Sequence, residues 1–90
     1  MKTAAIPVPY QHIVSTQFDD GDGVLVDLET KNYYQLNQTA MLVWLALEKG
    51  QTLSEIVTEM TSVYDVTDEH AAASVERILQ DFRSKKLLDG

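Results

Sequence analysis

The chain contains no cysteine, and its 90 residues include only two prolines, four glycines and a single tryptophan. Without thiols there is neither a disulfide framework nor a thiolate metal site. The same absence fits a reducing cytoplasm, the location expected here. No apolar run approaches the roughly 18 residues that a membrane helix needs. The run from Ala4 to Ile6 stops at Pro7, well short of a signal-peptide core. A soluble protein without a membrane partner is therefore expected. Cations are also scarce: seven Lys and Arg face fourteen Asp and Glu, for a formal charge of −7. Nucleic-acid binders gain affinity by neutralising phosphates with cations, so this balance argues against such a partner. The glycines at 21, 23, 50 and 90 match neither GxGxxG nor a P-loop. His12 and His70 have no Asp or Glu at a spacing that suggests a catalytic dyad or a metal pair. Asp19, Asp20 and Asp22 lack the alternate spacing and closing Glu of a calcium loop. No catalytic residue, metal or cofactor is expected, and the chain reads as a non-enzyme.

The size allows one domain, with a net stability of roughly 3–5 kcal/mol. Met1 to Pro9 carries both prolines and no periodicity, so a flexible tail is expected there and a single domain over 10–90. Tyr10 to Phe18 is rich in β-branched and aromatic residues and reads as a strand. After the turn cluster DDGDG, Val24 to Leu28 forms a second strand, with Val24, Val26 and Leu28 on one face and Leu25 and Asp27 on the other. Glu29 to Lys31 turns the chain, and Asn32 to Leu36 returns as a third strand. Short turns between three strands make an antiparallel meander.

Three helices follow. Asn37 suits the N-cap of the first, Gln38 to Lys49, which carries Ala40, Val43, Trp44 and Leu47 at helical spacing and is apolar on its other sides as well. Such a helix belongs at the centre of the core, and Gly50 ends it in a left-handed conformation. Thr52 and Glu55 form a capping box for the second helix, whose stripe is Leu53, Ile56, Val57, Met60 and Tyr64. Thr67 caps the third, with Asp68 and Glu69 where the helix dipole favours anions. That helix has two apolar lines, Ala72, Val75, Leu79 and Phe82 beside Ala71, Val75 and Ile78. Together they are wider than one core contact requires. Leu87 and Leu88 close the end against the sheet. Four of the seven cations, Arg77, Arg83, Lys85 and Lys86, fall within one ten-residue window near the end of this helix.

The expected fold is α+β and winged helix-turn-helix-like: a three-stranded antiparallel sheet followed by three helices. The residues VLVDLETKNYYQLNQTAMLVWLALEKGQTLSEIV resemble the PqqD-like family, also called RiPP recognition elements, and are most similar to its small stand-alone members of lasso-peptide biosynthesis. The similarity runs from Val24 to Leu88. Its most specific parts are Tyr34-Gln35-Leu36-Asn37, Trp44 and Gly50-Gln51-Thr52-Leu53. The members that serve pyrroloquinoline quinone synthesis carry a proline and an acid after the second strand, where this chain has Asp27-Leu28-Glu29.

The resemblance implies a protein that holds the leader segment of a ribosomally made precursor peptide as an added antiparallel strand. It implies a strand edge of Asn32, Tyr33, Tyr34, Gln35 and Leu36. The groove wall would be Val75, Ile78, Leu79 and Phe82, with Arg77, Arg83 or Lys85 at the rim. It further implies a leader with spaced Tyr and Pro anchors, and a cysteine-type leader peptidase or other maturation enzyme as partner. An unpaired strand edge independently offers amides and carbonyls to an extended peptide. The same layout also occurs in winged-helix DNA-binding domains, since fold does not fix function. A chaperone serving a radical enzyme, or a structural subunit of a larger enzyme, are the other readings open at this point.

Overall fold

The computed structural model describes residues 8–89. Its elements, in chain order, are β1 (Val8–Pro9), β2 (Ile13–Gln17), β3 (Gly23–Asp27), β4 (Tyr33–Leu36), α1 (Gln38–Glu48), α2 (Leu53–Val63), α3 (Asp68–Ser84) and β5 (Leu88–Asp89). Strands β2, β3 and β4 form the antiparallel meander, and β1 pairs separately with β5. The expected tail therefore begins to pair at Val8, opposite Asp89. Met1 to Pro7 lie outside the described residues.

The period-two pattern of the strands places Ile13, Leu25 and Leu36 in the core, together with the shielded carboxylate of Asp27. Gly23 is required by close approach: a Cβ there would meet the Thr16 carbonyl oxygen at 2.6 Å. The turn before it uses Gly21 at φ +97°, and the Phe18 amide donates to the Asp22 carbonyl at 2.7 Å.

Helix α1 is buried along Met41, Val43, Trp44, Ala46 and Leu47, as an all-round apolar helix must be. Asn37 caps it by accepting from the Ala40 amide at 2.9 Å. Gly50, at φ +76°, ends it: its amide bonds to the Leu47 carbonyl and the Gln51 amide to Ala46. The Thr52–Glu55 capping box of α2 and the Thr67 cap of α3 both form. Leu53, the first residue of α2, is largely exposed rather than part of the core stripe. Helix α3 closes the core through Ala71, Val75, Leu79 and Phe82. The Phe82 ring meets Trp44 edge-on, with centroids 5.3 Å apart and planes at 89°. Such a pair is worth about 0.5–1.5 kcal/mol beyond the area it buries. The indole N–H of Trp44 donates to Glu48 at 2.8 Å, and the same carboxylate oxygen accepts from the Ser15 hydroxyl at 2.9 Å.

At the end of α3 the chain reverses at Lys86, a non-glycine residue at φ +60°. The Lys86 amide bonds to the Arg83 carbonyl and the Leu87 amide to Phe82. Leu87 and Leu88 are thereby turned back into the core, and β5 meets β1 rather than the three-stranded sheet.

Candidate functional site

Backbone alternation decides which groups of β4 are open. The Asp27 amide donates to the Asn32 carbonyl at 2.9 Å, so that pair is hydrogen-bonded. In an antiparallel ladder bonded and non-bonded pairs alternate. The register pairs Tyr33 with Val26, Tyr34 with Leu25, Gln35 with Val24 and Leu36 with Gly23. Tyr34 and Leu36 therefore turn their amides and carbonyls toward β3, and Tyr33 and Gln35 turn theirs outward. Among the described residues no strand pairs with that outer edge. Side chains alternate by the same rule: Leu36 is buried and Tyr34 packs on the core, whereas Tyr33 and Gln35 are exposed.

Beside this edge lies a groove of about 520 Å³ between β4 and α3. One wall comes from Gln35, Leu36, Asn37, Thr39 and Ala40, and the other from Ser74, Arg77, Ile78 and Asp81. The α3 residues recur at intervals of three or four and so form one stripe of the helix. Leu36, Ala40 and Ile78 supply its apolar surface. Asp81 is joined to Lys85 by a 2.7 Å ion pair one turn on, which offsets the acid and leaves Arg77 as the cation lining the groove.

The sequence-based groove wall needs correction. Val75, Leu79 and Phe82 are buried in the core, each no more than 2 % exposed, and only Ile78 of that set reaches the groove. The groove stripe of α3 lies next to the core stripe, and spacing alone does not tell which of two adjacent stripes meets a neighbour. Ser74, Asp81, Thr39 and Ala40 were not anticipated; the helical spacing of Ser74 and Asp81 about Ile78 is the signal that points to two of them. Arg77 lines the groove, Lys85 reaches it through Asp81, and Arg83 lies outside the lining. Asn32 belongs to the turn that leads into β4, where its amide donates to the Thr30 hydroxyl.

That turn is tied down by Asp27. Its carboxylate accepts from the Glu29 amide at 2.9 Å and the Thr30 amide at 3.1 Å. His12 stacks on Tyr10 and places its Nε2 3.8 Å from Asp27 and its Nδ1 3.6 Å from Glu29. Burial acts to raise the Asp27 carboxyl, but the two amide bonds and the neighbouring His12 outweigh it, so its pKa falls below the ordinary value. A carboxyl depressed on folding stabilises the fold above its unfolded pKa, about 3.9, and that contribution is lost as pH falls through the folded value. Asp27→Asn is accordingly expected to flatten the loss of melting temperature below about pH 4 relative to wild type. Melting curves across that range check it; equal acid slopes would show that Asp27 does not anchor the turn.

Comparison with known proteins places this geometry. The family model described as coenzyme PQQ synthesis protein D (PqqD) matches residues 22–88. The chain belongs to the PqqD family. Two solved structures share this PqqD fold closely. One is TbiB1 in complex with the TbiA(beta) leader peptide, 29% identical, with a TM-score of 0.84 over 92% of this chain and 95% of that one. The other is lasso peptide synthetase B1 complexed with the leader peptide, 26% identical, with a TM-score of 0.84 over 96% of this chain and all of that one. A further relative is the vacuolar protein sorting-associated protein 39 homolog of Drosophila melanogaster, 27% identical over 88 residues. The match takes in 98% of this PqqD-family chain and about a tenth of that protein's length.

Proposed function

We propose that the chain binds the leader segment of a ribosomally made precursor peptide as an extra strand on β4, and presents it to a maturation enzyme in the cytoplasm. A cysteine-type leader peptidase is the partner of choice. The observation that carries this reading is the open edge of β4 beside a groove, in a fold whose two near relatives hold leader peptides. Tyr33 and Gln35 together offer two donors and two acceptors, each net bond worth roughly 0.5–1.5 kcal/mol. Ordering a flexible peptide costs about 2–5 kcal/mol, so backbone pairing alone is marginal. Side chains anchored against Leu36, Ala40 and Ile78 supply the surplus, about 1.5–3 kcal/mol for each one fully buried. Arg77 favours an acidic residue at the groove and acts more on encounter rate than on affinity.

The DNA-binding reading is disfavoured by charge. A helix entering a DNA groove needs cations along its exposed face, whereas α3 exposes Asp68, Glu69, Glu76 and Asp81.

Titration calorimetry with the leader of a precursor encoded beside this chain tests the proposal, with micromolar or tighter binding expected. Ile78→Glu, at a half-buried position, is expected to weaken binding roughly 10- to 100-fold while the melting curve stays cooperative, because it removes one apolar anchor contact. An unchanged affinity in a folded Ile78→Glu variant would move the anchor out of this groove.

A further inference from the structure

Strand β2 forms the opposite end of the sheet from β4, and among the described residues no strand pairs with its outer edge either. The Leu28 amide donates to the His12 carbonyl at 2.9 Å and the Phe18 amide to the Asp22 carbonyl at 2.7 Å. By the alternation of an antiparallel ladder, Val14 and Thr16 bond to β3, and Ser15 and Gln17 turn their amides and carbonyls outward. Sheet edges are ordinarily blunted by lysine, proline or a bulge. Ile13–Gln17 carries no charge and no proline, and its register with β3 is unbroken. Under the Gln17 end a groove of about 340 Å³ opens between α1 and the end of α2. Leu42 and Leu45 are half-buried there, and Val63 is 58% exposed. The apolar helix α1 thus keeps one stripe partly uncovered on the β2 side.

We propose that this edge pairs with the β2 edge of a second copy of the chain, antiparallel about a two-fold axis through Thr16. The strand is self-complementary about that residue, as a two-fold interface requires. Thr16 meets Thr16 of the second copy, and Ser15 meets its Gln17. Val14, 45% exposed, meets Phe18 of the second copy, 50% exposed, as an apolar cross-strand pair. Ser15 and Gln17 supply all the main-chain bonds in this register. An axis through Ser15 would instead call on the Ile13 amide, which already donates to the Tyr10 carbonyl at 3.1 Å. The axis stands perpendicular to the sheet, so the helices of both copies lie on one side and their Leu42–Leu45 stripes are brought toward each other. Lys49 and Glu59 line the same groove, so the approaching surfaces carry both signs of charge. The net charge of −7 opposes pairing and keeps it weak. The β4 edge remains open in the pair.

Sedimentation velocity on the full chain at about 0.15 M salt, where charges are screened beyond about 8 Å, is expected to show a dimer that grows with concentration. Thr16→Lys sets two ammonium groups opposite each other at the axis and is expected to raise the dimer dissociation constant at least about fivefold. The chain has no cysteine, so single introduced thiols report the register. Thr16→Cys brings two thiols to a non-bonded pair with Cα atoms about 4.5 Å apart, within disulfide reach. Val14→Cys leaves them about 14 Å apart. Under oxidised glutathione, Thr16→Cys is expected to cross-link at least about tenfold faster than Val14→Cys. Both positions are exposed, so these variants keep the fold. A wild-type chain that stays monomeric up to about 1 mM overturns the proposal. So does a dimer that Thr16→Lys leaves intact, or equal cross-linking rates in the two cysteine variants. The pairing stands apart from the leader reading, because Thr16 lies two strands from β4 and Thr16→Lys is expected to leave leader affinity unchanged.

Discussion

Gln35→Pro is expected to weaken leader binding roughly 10- to 100-fold while leaving the domain folded. The Gln35 amide points away from β3, so proline removes no bond of the existing sheet, and edge strands tolerate it. The incoming strand loses a donor, and the pyrrolidine ring holds it away from the carbonyl of the same residue. Two net hydrogen bonds lost together amount to about 1–3 kcal/mol, and each 1.4 kcal/mol is a factor of ten. Gln35→Ala, which keeps the amide, is expected to lose much less. Calorimetry on the pair, with a thermal melt of each, separates main-chain from side-chain recognition. Equal affinities for the two variants would mean that no strand is added at β4.

Phe82→Ala has the largest expected effect on the fold. The ring is 1% exposed and packs edge-on against Trp44. Truncating a buried phenylalanine costs about 3–5 kcal/mol, which matches the roughly 3–5 kcal/mol expected for the whole domain at this size. The variant is expected to be largely unfolded at 25 °C, seen as loss of the helical circular dichroism signal and of a cooperative urea transition. Leader binding lost in Phe82→Ala therefore reports unfolding, whereas loss in Ile78→Glu reports the groove. A Phe82→Ala chain that melts near wild type would place α3 outside the cooperative core.

The features legible in the sequence are those whose cause is local. Asn37, Thr52 and Thr67 cap helices because each side chain reaches the amide three residues on, and Leu25 and Leu36 face inward because side chains alternate in a strand. The features that escaped it depend on distant segments. Val75, Leu79 and Phe82 have the spacing of a groove wall as much as of a core stripe, and only the packing of α3 on distant segments, as of Phe82 on Trp44, decides between the two. The pairing of Val8 with Asp89 joins two-residue segments at opposite ends of the chain, too short for any pattern. It depends on Lys86 adopting a left-handed conformation for which nothing in its residue type provides a signal.

Helix α3 seals the core with one stripe and lines the groove with the next. Cargo and stability are thus linked: a ligand at a hundred times its dissociation constant adds about 2.7 kcal/mol, a large share of what a domain this small possesses. The vacant receptor is then the form that opens more often and that cellular proteases reach first. Under the proposed function, precursor supply sets how long the receptor survives, so a cell making more peptide also retains more of the protein that handles it.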